Sequence, residues 1–401
     1  MTAIPHEGSV AAWRADTPGA DRRVHLNNAG ASLMPRRVHD AVTAHLAREL
    51  VEGGYEAADA AAAGVERTYG TLARLFGVAP RNVAVVGSST TAFAQALAAF
   101  DFSPGDVVLT TRADYGSNQV MFLSLAARRG VHVVHADDAP EGGVDPESVR
   151  ALIRRKRPAL VSVSWVPSNS GLVQPAEAVG AVCEEAGVPY LVDACQAVGQ
   201  MPVSMPALRC DFLAATSRKF LRGPRGSGVL VVSDRALARG AHPLLVDMDG
   251  ATWTDPDRFA LADGARRFEI GDRSWAVLLG LGEAAAYAED VGLERARERA
   301  WALAALTRDR LAAVPGVRLL DRGPALAAIV TCEVAGQEGA SLKQQLRELG
   351  INTSAASRDD AVIDMDAKGA RSALRLSPHY YNTTAEIERA VTTIATLARP
   401  R

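Results

Sequence analysis

Short, uninterrupted apolar runs recur along the first two-thirds of the chain, each closed by small or polar residues. They are RNVAVVGSST, DVVLTT, VHVVHAD, ALVSVSWVPSNSG and, from Pro189, PYLVDAC. A strand covered on both faces reads as a continuous apolar run and not as an alternation. Stretches of helical period separate these runs, from Arg37 to Val51 and in AFAQALAAF, PESVRALIRRK and AEAVGAVCEEAGV. The alternation of strand and helix predicts an α/β fold with a doubly wound, mostly parallel sheet. The pattern changes after the long helix LERARERAWALAALTRDRLAAV. AAIVTCEV, SLKQQLREL, INTSAAS, ALRLSPHYYNT and a terminal helix capped by Thr383 or Thr384 predict a smaller α+β module. The expected division is an N-terminal arm over 1–22, a large domain over 23–290 and a small C-terminal domain over 291–401.

Candidate chemistry concentrates between Pro189 and Gly228. Tyr190-Leu191-Val192 ends on Asp193, and the run from Asp211 to Ala215 ends on Thr216-Ser217-Arg218-Lys219. In open α/β sheets the carboxyl ends of the strands are where ligands bind. Only four of the 44 lysines and arginines are lysine. Lys156 sits in a basic run at a helix end, Lys343 on an amphipathic helix and Lys368 in a polar segment, so Lys219 alone follows a buried run. A lysine and a carboxylate on neighbouring strand ends suit a pyridine-type cofactor. The amine links to the cofactor, and the acid keeps the ring nitrogen protonated.

Other segments add contacts. Ser88 to Thr91 gather at a helix start, where free N–H groups bind anions. Gly53-Gly54-Tyr55 would let backbone approach a ligand closely. Arg375, on a strand just before a turn, offers a fork for a carboxylate. The glycines of GPRGSG follow the lysine and do not open a helix after a first strand, which misplaces them for a dinucleotide fingerprint.

The net charge of −2 gives no electrostatic reason to expect nucleic acid. The beginning of the chain lacks a basic leader with an apolar core, and no run approaches membrane-spanning length, so a cytoplasmic location is expected. Cys183, Cys195, Cys210 and Cys332 lie in or beside apolar runs with no CxxC spacing and read as buried thiols. No histidine or cysteine pattern predicts a metal site.

DACQAVG followed by SRKFLRGPRGSG resembles the class V aminotransferase family, fold-type I pyridoxal-phosphate enzymes, and the resemblance runs from about Val24 to Ala398. It implies a seven-stranded, mostly parallel sheet in the large domain, pyridoxal 5'-phosphate as cofactor, and Lys219 and Asp193 as the catalytic pair. Ser89 and Thr90 match the phosphate-holding helix start, with Thr216 and Arg218 as further phosphate contacts. Arg218 stands where many relatives carry histidine, and a guanidinium still serves a phosphate. Tyr115 falls where an aromatic stacks on the ring. Gln196, with Ser168 or Asn169, would contact the phenolic oxygen. Asn28, Ala29, Gly30, Tyr55 and Arg375 are the candidate contacts to an amino-acid substrate. Arg273 would reach the neighbouring subunit's phosphate, in place of a threonine that relatives carry near Asp272. Such sharing requires a homodimer.

The same resemblance frames the reaction. A cysteine desulfurase needs a mobile cysteine in the small domain, and INTSAASRDDAVIDMDAKGARSALRLS has none. VEGGYEAADAA, RRFE with its following charged pair and serine, and RLSPHYYNT resemble C–S lyases of the ergothioneine-pathway and isopenicillin epimerase-like group. The expectation is β-elimination from an S-substituted cysteine of a sulfur-containing natural product, giving pyruvate and ammonia. Decarboxylating deamination of the same conjugate to an aldehyde, and transamination or epimerisation, are the alternatives.

Overall fold

The structure is a computed structural model, and it describes residues 4–398. Its central sheet has seven strands, ordered Val83–Val86, Gly228–Val232, Phe212–Thr216, Tyr190–Asp193, Leu160–Ser164, Val107–Thr110 and His132–His135. Six run parallel, and Gly228–Val232 runs against both its neighbours. The apolar runs are continuous because both faces are covered. Tyr190, Val192, Leu213 and Ala215 enter one core, while Leu191, Phe212 and Ala214 enter the core on the other face. Each such leucine, valine or phenylalanine contributes roughly 1.5–3 kcal/mol by leaving water.

The small domain is a four-stranded antiparallel sheet ordered Val317–Leu319, Val330–Val334, Ser372–Leu376 and Ser354–Ser357. Helices Gly339–Glu348 and Thr384–Leu397 accompany it, and Thr383 caps the latter in a capping box with Glu386. Long-range pairing crosses the expected boundaries. The strand Val24–His25, expected with the large domain, pairs in parallel with Ile351–Asn352 of the small one. Within the expected N-terminal arm, Val10 and Trp13 of helix Val10–Ala15 pack in one cluster with Tyr287, Tyr380 and Tyr381. The helix read from Arg37 to Val51 spans Arg36–Glu52, breaks at Gly53 and resumes as Gly54–Ala60. A hairpin of Ala251–Asp255 and Arg258–Leu261 went unread because its side chains are mostly exposed and follow neither period. No helix among the described residues is long and apolar enough to cross a membrane.

Candidate active site

The carboxyl edge of the sheet gathers the site. Parallel register sets Ser164 opposite Asp193 and Asp193 opposite Ala214, two residues before the strand end at Thr216. Lys219 follows on a tight turn in which the Arg222 N–H donates to the Lys219 carbonyl at 2.9 Å. Arg222 holds a left-handed backbone (φ 63°) and fixes this turn from both sides. Its guanidinium donates to the Leu33 carbonyl, to Thr17 Oγ1 and to Tyr380 Oη, and lies over the Tyr381 ring. His379 Nε2 meets the Phe220 carbonyl at 2.8 Å. The N-terminal segment and the small domain therefore both bolt down the lysine turn. Gly199 (φ 90°) makes room for it, since a Cβ there would lie 2.2 Å from the Leu221 nitrogen.

Lys219 is buried, and its Nζ makes no hydrogen bond or ion pair among the described residues. Its Nζ lies 5.7 Å from the centre of the Tyr115 ring. Burial lowers its proton affinity, Cys195 and Asp193 oppose that shift, and Arg218 and Arg375 add to it. Asp193 is fixed through both oxygens: Oδ1 accepts from the Cys195 N–H at 2.9 Å and Oδ2 from Asn118 Nδ2 at 3.0 Å.

A cavity of about 210 Å³ opens at Lys219. Ala29, Gly30, Tyr115, Ser168, Asn169, Gln196 and Arg218 line it from the large-domain side, and Ser354, Ala355, Ala356, Asp360 and Arg375 from the small domain. Several polar atoms here are buried and unpartnered: Gln196 Oε1, Asn169 Oδ1 and Arg375 Nε. Gln196 donates its amide to the Ala29 carbonyl, and Asn169 donates to Asp364 Oδ2 at 2.5 Å. Asp364 in turn holds the Lys368 ammonium at 2.6 Å. Arg218 donates to the Gly30 carbonyl, and burial lowers its proton affinity. Arg375 sits between Thr331 and Ser354 in register, and burial pushes its guanidinium down to about 10.

The helix Ser89–Ala98 points its start at the same edge. Ser88 caps it by accepting from the Thr91 N–H at 3.0 Å, while the Ser89 and Thr90 N–H groups find no acceptor among the described residues. Gly228 permits this approach, because a Cβ would lie 2.3 Å from the Ser88 carbonyl carbon and 2.6 Å from the Ser89 nitrogen. A free-donor helix start, an aromatic face, a buried lysine and a fixed carboxylate fit a phosphorylated pyridine aldehyde.

Three expected residues do not line this cavity, Arg273 being the one expected at the neighbouring subunit's phosphate. Tyr55 is 87% exposed. Asn28 is fully buried and saturated, donating to the Ser377 carbonyl and accepting from Tyr381 Oη at 2.6 Å. Arg273 pairs with Glu269 and, at 3.1 Å, with Asp249, and it lines a different cavity with Gly87, Thr91 and Ser274. Asp114, Asn118 and Ser164 were missed, because a polar residue under a site looks like any loop residue until the fold buries it.

Together these groups define a class of enzyme, one built around a pyridine cofactor at a sheet edge. The Aminotransferase class-V family model matches residues 24–390, so the chain belongs to that family, and it is a pyridoxal-phosphate-dependent enzyme. A probable cysteine desulfurase of Xylella fastidiosa is 28% identical over 95% of this chain and 94% of its own. A probable hercynylcysteine sulfoxide lyase of Mycobacterium tuberculosis is also 28% identical, over 94% of this chain and 90% of its own. The apo cysteine desulfurase of Thermococcus onnurineus NA1 has the same fold, with a TM-score of 0.88 at 24% identity over 99% of both chains.

Proposed function

We propose that the protein breaks the Cβ–S bond of an S-substituted cysteine, thioether or sulfoxide, by β-elimination. One observation carries this reading. Ser354, Ala355, Ala356 and Asp360 bring the small domain to the cavity without a thiol. Desulfuration needs a thiolate that can reach the substrate sulfur. All four cysteines are buried, and burial pushes Cys183 and Cys332 up to about 12 and raises Cys195 and Cys210 as well. Cys195 lies beside Asp193 but does not line the cavity. The likeness to a sulfoxide lyase supports the same reading.

Bound pyridoxal phosphate supplies the electron sink that makes bonds at Cα labile. Lys219 and Asp193 would hold it, Tyr115 would lie against it, and Ser89, Thr90, Thr216 and Arg218 would take its phosphate. Arg375 holds the substrate carboxylate. Lys219, its basicity tuned by burial, takes the Cα proton on Nζ. The Cβ–S electron pair leaves with sulfur, and water completes the release of pyruvate and ammonia. A fixed carboxylate favours this course over decarboxylation, which must release that group.

We also infer a homodimer. Leu50, Val51 and Tyr55 on one side, and Leu245, Met248 and Trp253 on another, are more than 70% exposed, as surfaces awaiting a partner are. Sedimentation as a monomer with full activity would contradict it.

The decisive assay gives the holoenzyme a panel of cysteine conjugates. Pyruvate formed one-for-one with thiol or sulfenic acid supports the lyase. Alanine with protein-bound persulfide, or carbon dioxide with a sulfur-bearing aldehyde, overturns it.

A further inference from the structure

Behind Asp193 lies a second buried carboxylate with no cation paired to it among the described residues. Asp114 is 2% exposed and collects five donors. Oδ1 takes Ser164 Oγ at 2.5 Å, the Tyr115 N–H at 2.7 Å and Asn118 Nδ2 at 3.2 Å. Oδ2 takes Thr110 Oγ1 and Gln119 Nε2, each at 2.8 Å. Burial raises Asp114's proton affinity and these bonds oppose that, five donors being a set that an anion accepts.

Asn118 joins the two acids. Its Nδ2 lies 3.0 Å from Asp193 Oδ2, 3.2 Å from Asp114 Oδ1 and 3.3 Å from Ser164 Oγ. Two hydrogens face three acceptors. Carboxylates outrank a hydroxyl whose own proton goes to Asp114, so one hydrogen goes to each acid. The first turn of helix Gly116–Arg129 thus ties the strand end at Asp193 to the segment that carries Tyr115.

We propose that Asn118 is a positioning residue for the cofactor, its one amide locking Asp193 and Tyr115 into a single unit through Asp114. Nothing else among the described residues donates to Asp193 Oδ2, and Asn118 is 3% exposed, so bulk water does not compete for the bond. Without it Asp193 keeps only the Cys195 N–H bond at Oδ1, so Oδ2 can swing about that anchor and its hold on the ring-nitrogen proton weakens. That proton and the one on the Lys219 nitrogen repel each other, so losing the first strengthens the second. The charged and titratable groups facing Lys219 are otherwise unchanged: Cys195 and Asp193 from their turn, Arg218 beside it, Arg375 from the small domain and Tyr115.

The inference rests on Asp193 and Lys219 as the groups that hold the cofactor. A purified wild-type protein without a visible, borohydride-sensitive band would sink that assignment first. The test uses holoenzyme of Asn118→Ala and of Asn118→Leu, which keeps the volume. Gln119→Met serves as control, removing a donor to Asp114 without touching Asp193. In the Asn118 variants the visible band should titrate at a pH higher by about half a unit or more. Cofactor affinity should fall about 10-fold. Gln119→Met should lower the melting temperature and leave the titration in place. An unmoved or acid-shifted titration in a folded Asn118 variant, or an equal shift in Gln119→Met, overturns the proposal. Failure of both Asn118 variants to fold also overturns it, since Asn118 would then serve the fold alone.

Discussion

Arg375 donates to the Ser168 carbonyl at 2.7 Å, while its Nε stays buried without an acceptor. One end of the fork is anchored and a donor remains beside the cavity. A guanidinium held this way, with no carboxylate paired to it among the described residues, is prepared for one from a ligand.

Arg375→Ala should leave the cofactor spectrum intact and lower kcat/KM by about 10²-fold or more, the loss expected of a charge-assisted contact. Arg375→Lys should recover only part, because an ammonium is a point charge and not a fork. Steady-state kinetics with the same conjugate for all three proteins checks this, and an unchanged kcat/KM in Arg375→Ala would remove the carboxylate role.

Lys219 gives a spectral and a stability prediction. Lys219→Ala should lose the visible band and the borohydride-fixed cofactor, and fixation at another lysine would move the assignment. In the cofactor-free protein, burial disfavours the charged amine, so the folded state binds this proton more weakly than the unfolded chain. The penalty is full below the lowered folded value and vanishes as pH rises past the ordinary lysine value. Lys219→Met should therefore raise the melting temperature of the apoprotein at neutral pH, and the gain should shrink as the buffer becomes alkaline.

Gly228→Ala should displace the start of helix Ser89–Ala98, because the added carbon meets backbone on both sides of the Ser88–Ser89 bond. The expected cost is about 1–3 kcal/mol of stability, with weaker cofactor retention. Denaturant melts and dialysis of the holoenzyme read the two effects. Normal retention would free this helix start from the phosphate role.

Arg273 neutralises Glu269, a 3%-exposed carboxylate that also accepts from Tyr69 Oη at 2.7 Å and the Val85 N–H at 2.7 Å. Arg273→Gln should destabilise the protein by about 3–5 kcal/mol, as removing one partner of a buried pair does, and leave cofactor affinity nearly unchanged. Weaker affinity with an unchanged melt would instead return Arg273 to the neighbouring subunit's phosphate.

The strand runs, the lysine at the end of one and the aspartate at the end of another were legible because they are local. An apolar run bounded by turn residues states its own burial, and four lysines leave little choice among amines. Period two then sends alternate residues to the two cores without further information. The second carboxylate, the bridging amide and the bolted turn at Arg222 were not legible. Asp114, Asn118, Ser164 and Asp193 come from separate segments, and only sheet register and the docking of a helix bring them within hydrogen-bond distance. Tyr55 and Arg273 lie outside this chain's own cavity for the same reason in reverse. Their residue types suit a ligand, but in the single chain one side chain is exposed and the other pairs with Glu269. Sequence by itself determined which groups can do the chemistry. Tertiary structure decided which of them are dry, free and facing one another, because desolvation and hydrogen-bond competition depend on neighbours distant in the chain.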